Sequence, residues 1–451
     1  MHLSRRLAAV VLVVVSIGTH SATIDAQQGG DSFEHWATVH AIPIETVEPG
    51  SAVADLRALK PIIGAARVIA LGEPTHGAHE PLAFRNRLFR YLVEELGFTA
   101  IALESGLPES RRISDFVFGG PGEARQVVRE NLTWGFGAFG ENEELVRWMR
   151  DYNADPAHRR KVRFYGIDLS LGGPGGSIPT SAALDQALSY FARVDPVSAR
   201  RIRATFQPYL SVLSGAGSPS LSRAEHDAAS AAIDDLISLL ERERPTFVAA
   251  TSEADYEWAY RNAIVARQGD RAFRVNPPEM PGGGIPPAAW QAVTARDAAM
   301  AENVQWVLAQ EGPAGRVLVF AHNAHVKNAR TEGGVWSVFE RPPNAMGQYL
   351  RSTLGDNLVI IGTSSAQKAV GLPPASEAGS IDAALARVGP PRFVLDLRLS
   401  RADRAVAAWL AERRSLRAND TTYQMLSPGA AFDAFLFVNM LTPSRTASPP
   451  R

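Results

Sequence analysis

Seven short apolar runs, spaced by stretches of helical periodicity, constrain this chain more than any other feature. The first, Arg67 to Leu71 (Arg-Val-Ile-Ala-Leu), is β-branched and aliphatic without polar alternation, as expected of a strand buried on both faces. Phe98 to Leu103, Val162 to Tyr165, Arg316 to Ala321, Val359 to Ile361, Phe393 to Leu395 and Ala434 to Val438 read the same way. Between the first two lies a helical pattern, with apolar residues at Leu82, Phe84, Leu88, Phe89, Leu92 and Val93. Strands alternating with helices predict an α/β fold around a mostly parallel sheet flanked by helices. Several runs end on polar residues: Glu73, Glu104, Asp168 and the pair His322 and His325. In a parallel sheet those ends share one edge, where sites in α/β proteins lie.

The alternation breaks once. Gly172 to Ser177 is rich in Gly and Pro, and Thr180 to Gln310 is nearly all helical, interrupted at Pro277 to Pro287. This predicts a core of residues 27–170 and 316–442 with a helical insertion, 171–315, covering the C-terminal edge of the sheet. The Ser/Pro-rich residues 443–451 are expected to be a flexible tail.

The N-terminus has the pattern of an export signal. Arg5 and Arg6 precede the apolar run Leu7 to Gly18, too short for the ~20 residues a bilayer span needs. Cleavage is expected after Ala26, leaving a periplasmic or secreted protein with no membrane contact. No other stretch is long and apolar enough to cross a membrane. A net charge of -1 gives no reason to expect nucleic acid as a partner. The absence of cysteine removes disulfides, thiolate ligands and a thiol nucleophile.

The stretch Gly72-Glu-Pro-Thr-His-Gly-Ala-His-Glu80 places two acids and two histidines on the turn between the first strand and its helix. His76, His79, His322 and His325 form two clusters that the sheet would bring together with Glu73, Glu104 and Asp168. Three chemistries suit such a set. A metal-dependent hydrolase could use His76, His322, Glu73 and Glu104 as ligands, although the His-Glu-x-x-His pattern is absent. General-base hydrolysis without a metal needs a neutral imidazole held in one tautomer by a carboxylate, which Glu73 or Glu104 could supply to His76. A serine nucleophile lacks its Gly-x-Ser-x-Gly turn. A non-catalytic exported binding protein is the bland alternative.

These residues resemble the erythromycin esterase family: Leu71 to Glu80, Arg85, Ile101 to Ser105, Ala321 to Val326, Met346 to Leu350, Ile381 to Leu385, Leu395 to Arg398 and Phe432 to Val438. The resemblance implies an esterase that hydrolyses the ester bond of a macrolactone antibiotic without a cofactor or required metal. It implies His76 as catalytic base with Glu73 beside it, and Arg85, Glu104, His322 and His325 as further site residues. The small-molecule substrate would be an ester or lactone, with the helical middle shaping the cleft.

Each residue also has a structural reading. Glu73 could accept helix N-terminal N–H groups, Glu104 could pair with Arg85, and the histidines could be hydrogen-bonded within the core. Catalytic roles are expected for His76, Glu73, Glu104, Arg85 and His322, and substrate contacts for His325, His79 and Asp168. Trp134, Phe136 and Phe139, in a Gly-rich loop, either line an apolar cleft or pack it. His35, His40, His158 and His226 are expected at the surface.

Overall fold

The computed structural model describes residues 32–169, 180–213, 222–275, 286–368, 376–418 and 422–445. The signal sequence, the Gly172 to Ser177 hinge and most of Pro277 to Pro287 lie outside the described residues. The centre is an eight-stranded sheet. Its strands are β1 (Ile42–Pro43), β2 (Val68–Glu73), β3 (Ala100–Gly106), β4 (Arg163–Asp168), β5 (Val317–His322), β6 (Leu358–Lys368), β7 (Arg392–Asp396) and β10 (Ala434–Leu441). A separate antiparallel hairpin is formed by β8 (Arg414–Ala418) and β9 (Thr422–Leu426). The order is β1-β7-β10-β6-β2-β5-β3-β4, parallel from β10 to β4, with β7 antiparallel to both of its neighbours. This is the mostly parallel α/β sheet expected.

Alternation along each strand divides the core into two layers. Ile69, Leu71, Ile101, Leu103, Leu318 and Phe320 face one side, where the helix His79–Leu96 packs. Val68, Ala70, Ala100, Ala102, Val317 and Val319 face the other, against Met300, Ala301, Val304 and Val307 of the helix Trp290–Gln310. The second face carries several alanines, which let that helix approach closely. Between their first residues and the polar C-terminal ends that carry Glu73, Glu104, Asp168 and His322, β2 to β5 are buried and apolar on both faces, so they read as continuous apolar runs. The helices between β4 and β5 build a third apolar cluster of their own around Leu184, Phe191, Phe206, Leu236 and Tyr256. Among the described residues no helix is long and apolar enough to cross a membrane.

The segment after β10 departs from expectation. Residues 443–445, read as the start of a flexible tail, are fixed against the turn that follows β2. His79 N–H donates to Thr442 O (2.8 Å), Ser444 N–H to Gly77 O (2.8 Å), and Ala78 bridges Pro443. Glu80 accepts from Thr442 N and Oγ1, each at 2.7 Å. The helix His79–Leu96 has no side-chain N-cap, and the Thr442 carbonyl takes one of its free N–H groups instead. Satisfying those donors is the physical reason that Ser/Pro composition did not mean disorder here. Residues 446–451 lie outside the described set.

Candidate active site

Strand register brings distant sequence motifs together. β2 and β5 pair so that Glu73 stands opposite His322, and β3 pairs with β5 on its other side. His76 follows in the turn after β2, and its ring centroid lies 5.2 Å from that of His322. Gly77, at φ +75°, turns the chain immediately after it. A Cβ there would meet the Phe139 ring at 3.0 Å.

His76 Nδ1 donates to Glu73 Oε1 at 2.7 Å. That bond fixes the tautomer and leaves Nε2 unprotonated when the ring is neutral. The His76 side chain is 38% exposed, whereas Glu73 is buried beneath it. Burial lowers the His76 pKa, but the hydrogen bond and charge of Glu73, with help from Glu104, outweigh it and raise it above the ordinary 6.5. Phe136 walls the ring at 5.0 Å and stacks on Phe139. The other Glu73 oxygen, Oε2, is buried without a hydrogen-bond partner. Glu73, Arg85, Glu104, Phe136, Phe139 and Asn142 line a cavity of about 10 Å³ there, room for about one water.

Arg85 is fully buried. Its Nε and Nη2 donate to Asn86 Oδ1 at 3.0 and 2.7 Å, and its guanidinium sits 4.9 Å from the Phe320 ring centre. Burial pushes its pKa down to about 10 against the pull of Glu73, so it remains a cation at neutral pH. The pair with Arg85 that was the structural reading of Glu104 does not form.

Glu104 instead accepts from Arg296 Nη2 (2.9 Å), His325 Nε2 (3.2 Å) and the His322 backbone N–H (2.8 Å). Burial works to raise its pKa, and His325, Arg296 and His76 overcome that to hold it well below the usual range. His325 Nδ1 donates to Asp297 at 2.9 Å. Burial would lower its pKa, but Asp297 and Glu104 raise it to about 10, so the ring is an imidazolium. His322 behaves oppositely. Nε2–H donates to Pro74 O (3.1 Å) and Nδ1 accepts from Ala324 N–H (3.1 Å). Burial, then the nearby His76, push its pKa down to about 3, and the ring is neutral.

The three residues expected to contact substrate are all engaged by protein partners. Both ring nitrogens of His325 are spent on Asp297 and Glu104. Those of His79 bond Glu141 (2.7 Å) and Glu48 (2.9 Å). Asp168 is buried and takes Arg296, Trp134 Nε1–H (2.9 Å) and Leu169 N–H (2.8 Å). These three anchor the site and present no free polar atom to a ligand. His322 likewise has no free ring nitrogen, and its ring stands as a wall beside His76. Among the described residues no three His, Asp or Glu side chains group as metal ligands.

Sequence reasoning missed Arg296 and Asp297, adjacent on the helix Trp290–Gln310, which complete the network around Glu104 and His325. It also missed Glu141, whose carboxylate holds His79 and Arg445. The only available signal was a charged pair amid a run of alanines, which in most helices faces water.

The comparisons with known proteins point to one family and one fold. An erythromycin esterase type II from Escherichia coli is 28% identical over 345 residues, 74% of this chain and 77% of that protein. A crystal structure of a Bacillus cereus protein superposes with a TM-score of 0.77 at 26% identity, covering 93% of this chain and 99% of the other. A histidine-to-asparagine mutant of an erythromycin esterase, in its open conformation, shares the fold with a TM-score of 0.65 at 18% identity, over 89% and 98% of the two chains. The erythromycin esterase family matches residues 93–440, and the chain belongs to that family.

Proposed function

We propose that the protein hydrolyses the ester bond of a macrolactone or related ester by direct attack of water. Family membership supports a hydrolase, and the Glu73–His76 pair supports this mechanism. Neutral His76 takes a proton from water at Nε2 as the water oxygen bonds to the ester carbonyl carbon. Glu73 stabilises the imidazolium that forms through the bond from Nδ1. The buried Arg85 cation lines the same small cavity as Glu73, and its charge favours the developing oxyanion. Collapse breaks the carbon–alkoxy bond, and the imidazolium returns its proton to the leaving alcohol.

The observation that carries this reading is the 2.7 Å bond that orients His76 while more than a third of its side chain stays accessible. The relatives' names make a macrolide the first substrate to try, and antibiotic inactivation the corresponding role. Export to the periplasm or beyond is proposed on the charge and length of the leader. The test is to incubate the mature protein with erythromycin, other macrolides and simple esters and look for a mass gain of one water. No gain with any of them, under conditions where the protein is folded, would refute the proposal.

A further inference from the structure

Trp134 is the only residue other than glycine with a positive φ (60°) among the described residues. A bulky side chain is disfavoured there, because Cβ crowds the following carbonyl, and Gly135 continues the left-handed turn at φ 76°. Such a conformation persists only where the surroundings hold it, and it clusters at ligand-contacting segments.

The surroundings of Trp134 fix the ring from two directions. The indole N–H donates to Asp168 Oδ2 at 2.9 Å. The Arg296 guanidinium lies 5.0 Å from the ring centre and is itself held by Asp168 and Glu104. Yet the residue is 41% exposed, so the ring is immobilised without being packed into the core. Phe136, two residues on, is buried against His76. The same short loop therefore runs from the wall of the reacting histidine to an exposed, rigid aromatic surface.

We propose that Trp134 is a specificity-determining platform that receives the apolar, non-reacting part of the ester substrate. A preset aromatic surface loses little freedom on binding and covers a large apolar area, which suits it to that task. The cation against the indole weakens its attraction for a second cation, so the favoured partner is a neutral apolar surface such as the hydrocarbon side of a lactone ring. This inference rests on the esterase reading of the site.

The test uses the full mature chain with His76→Ala, which removes turnover, and erythromycin as the titrant in calorimetry. Adding Trp134→Gly should weaken binding by ~10-fold, the scale of one lost apolar contact. Trp134→Phe should restore most of it. Gly accepts the left-handed backbone, so the melting temperature should not fall, and Trp134→Asn gives a second variant with the same tolerance. Equal affinity with and without Trp134, or no binding of erythromycin to either protein, would overturn the platform. Undiminished turnover by the His76→Ala protein would instead sink the general-base reading, and the effect of Trp134→Gly would then be read as a rise in KM rather than by calorimetry.

Discussion

The rings of His76 and His322 lie 5.2 Å apart and are driven to opposite protonation behaviour. Glu73 draws a proton onto His76, while burial and that same His76 keep His322 neutral. The two neighbouring rings thus shift in opposite directions from the ordinary imidazole value, His76 upward and His322 down to about 3.

A pH profile follows from this. A general base must be deprotonated, and the His76 pKa lies above 6.5, so kcat/KM should climb as pH rises through that raised value. Glu73→Gln removes the main charge that raises it. The rising limb should then move to lower pH and the plateau should drop, which initial rates on one ester across pH 5 to about 10 would display.

His76→Ala should lower kcat by ~10²–10⁴-fold, the usual worth of general-base assistance. The ring is partly exposed and its loss opens no core cavity, so circular dichroism and melting temperature should be close to wild type. A variant of normal activity would show that another group takes the proton.

Breaking the buried network has a different signature. Arg296→Met leaves the Glu104 and Asp168 carboxylates with one cation fewer in a buried site. Removing one partner of a buried pair costs ~3–5 kcal/mol, and because 20% of the Arg296 side chain is exposed the low end applies. Denaturant titration should show the loss in the midpoint.

Alkaline pH should loosen the clasp at the N-terminal end of the helix His79–Leu96. Between Glu141 and Glu48, the His79 pKa rises from 6.5 to about 9. A histidine raised in the folded state contributes stability that is full below pH 6.5 and lost as pH climbs through about 9. His325, raised to about 10, adds to the decline in the same direction. Melting temperatures from pH 6 to about 10 should fall, and His79→Gln should flatten the slope.

Removing every residue after Leu441 should cost activity out of proportion to stability. The deleted segment bonds Gly77, His79 and Glu80, which flank His76, and contributes little to the apolar core. A misplacement of ~1 Å at a catalytic group can cost ~10²-fold. A drop in kcat/KM of that order with most of the melting temperature kept is the expected result; an unchanged kcat/KM would count against it.

The parts legible in the sequence were those with local signatures. β2, β3, β4 and β5 announced themselves because strands covered on both faces are apolar throughout, and the carboxylates and histidine at their ends marked the edge that matters. Glu73 and His76 were readable as a pair because three residues and one turn separate them. Their register opposite His322 followed from parallel pairing. Which acid orients His76 was not readable, since Glu73 and Glu104 differ only in which cation lies beside each. The partners of His79, Glu48 and Glu141, were not readable because other elements bring them, and nothing adjacent in the chain distinguishes a satisfied histidine from a free one. Arg296 was invisible for the same reason: a helix interior with one charged pair looks alike whether that pair meets water or a buried acid.

The clasp formed by Thr442 to Arg445 also orders events during synthesis. The turn bearing His76 is made early, but its backbone partners leave the ribosome only after every strand of the central sheet. A nascent chain can thus form β2 and its helix and still lack the set geometry of the turn that carries His76. The backbone of that turn is therefore fully bonded only once Thr442 to Ser444 have docked on Gly77, Ala78, His79 and Glu80.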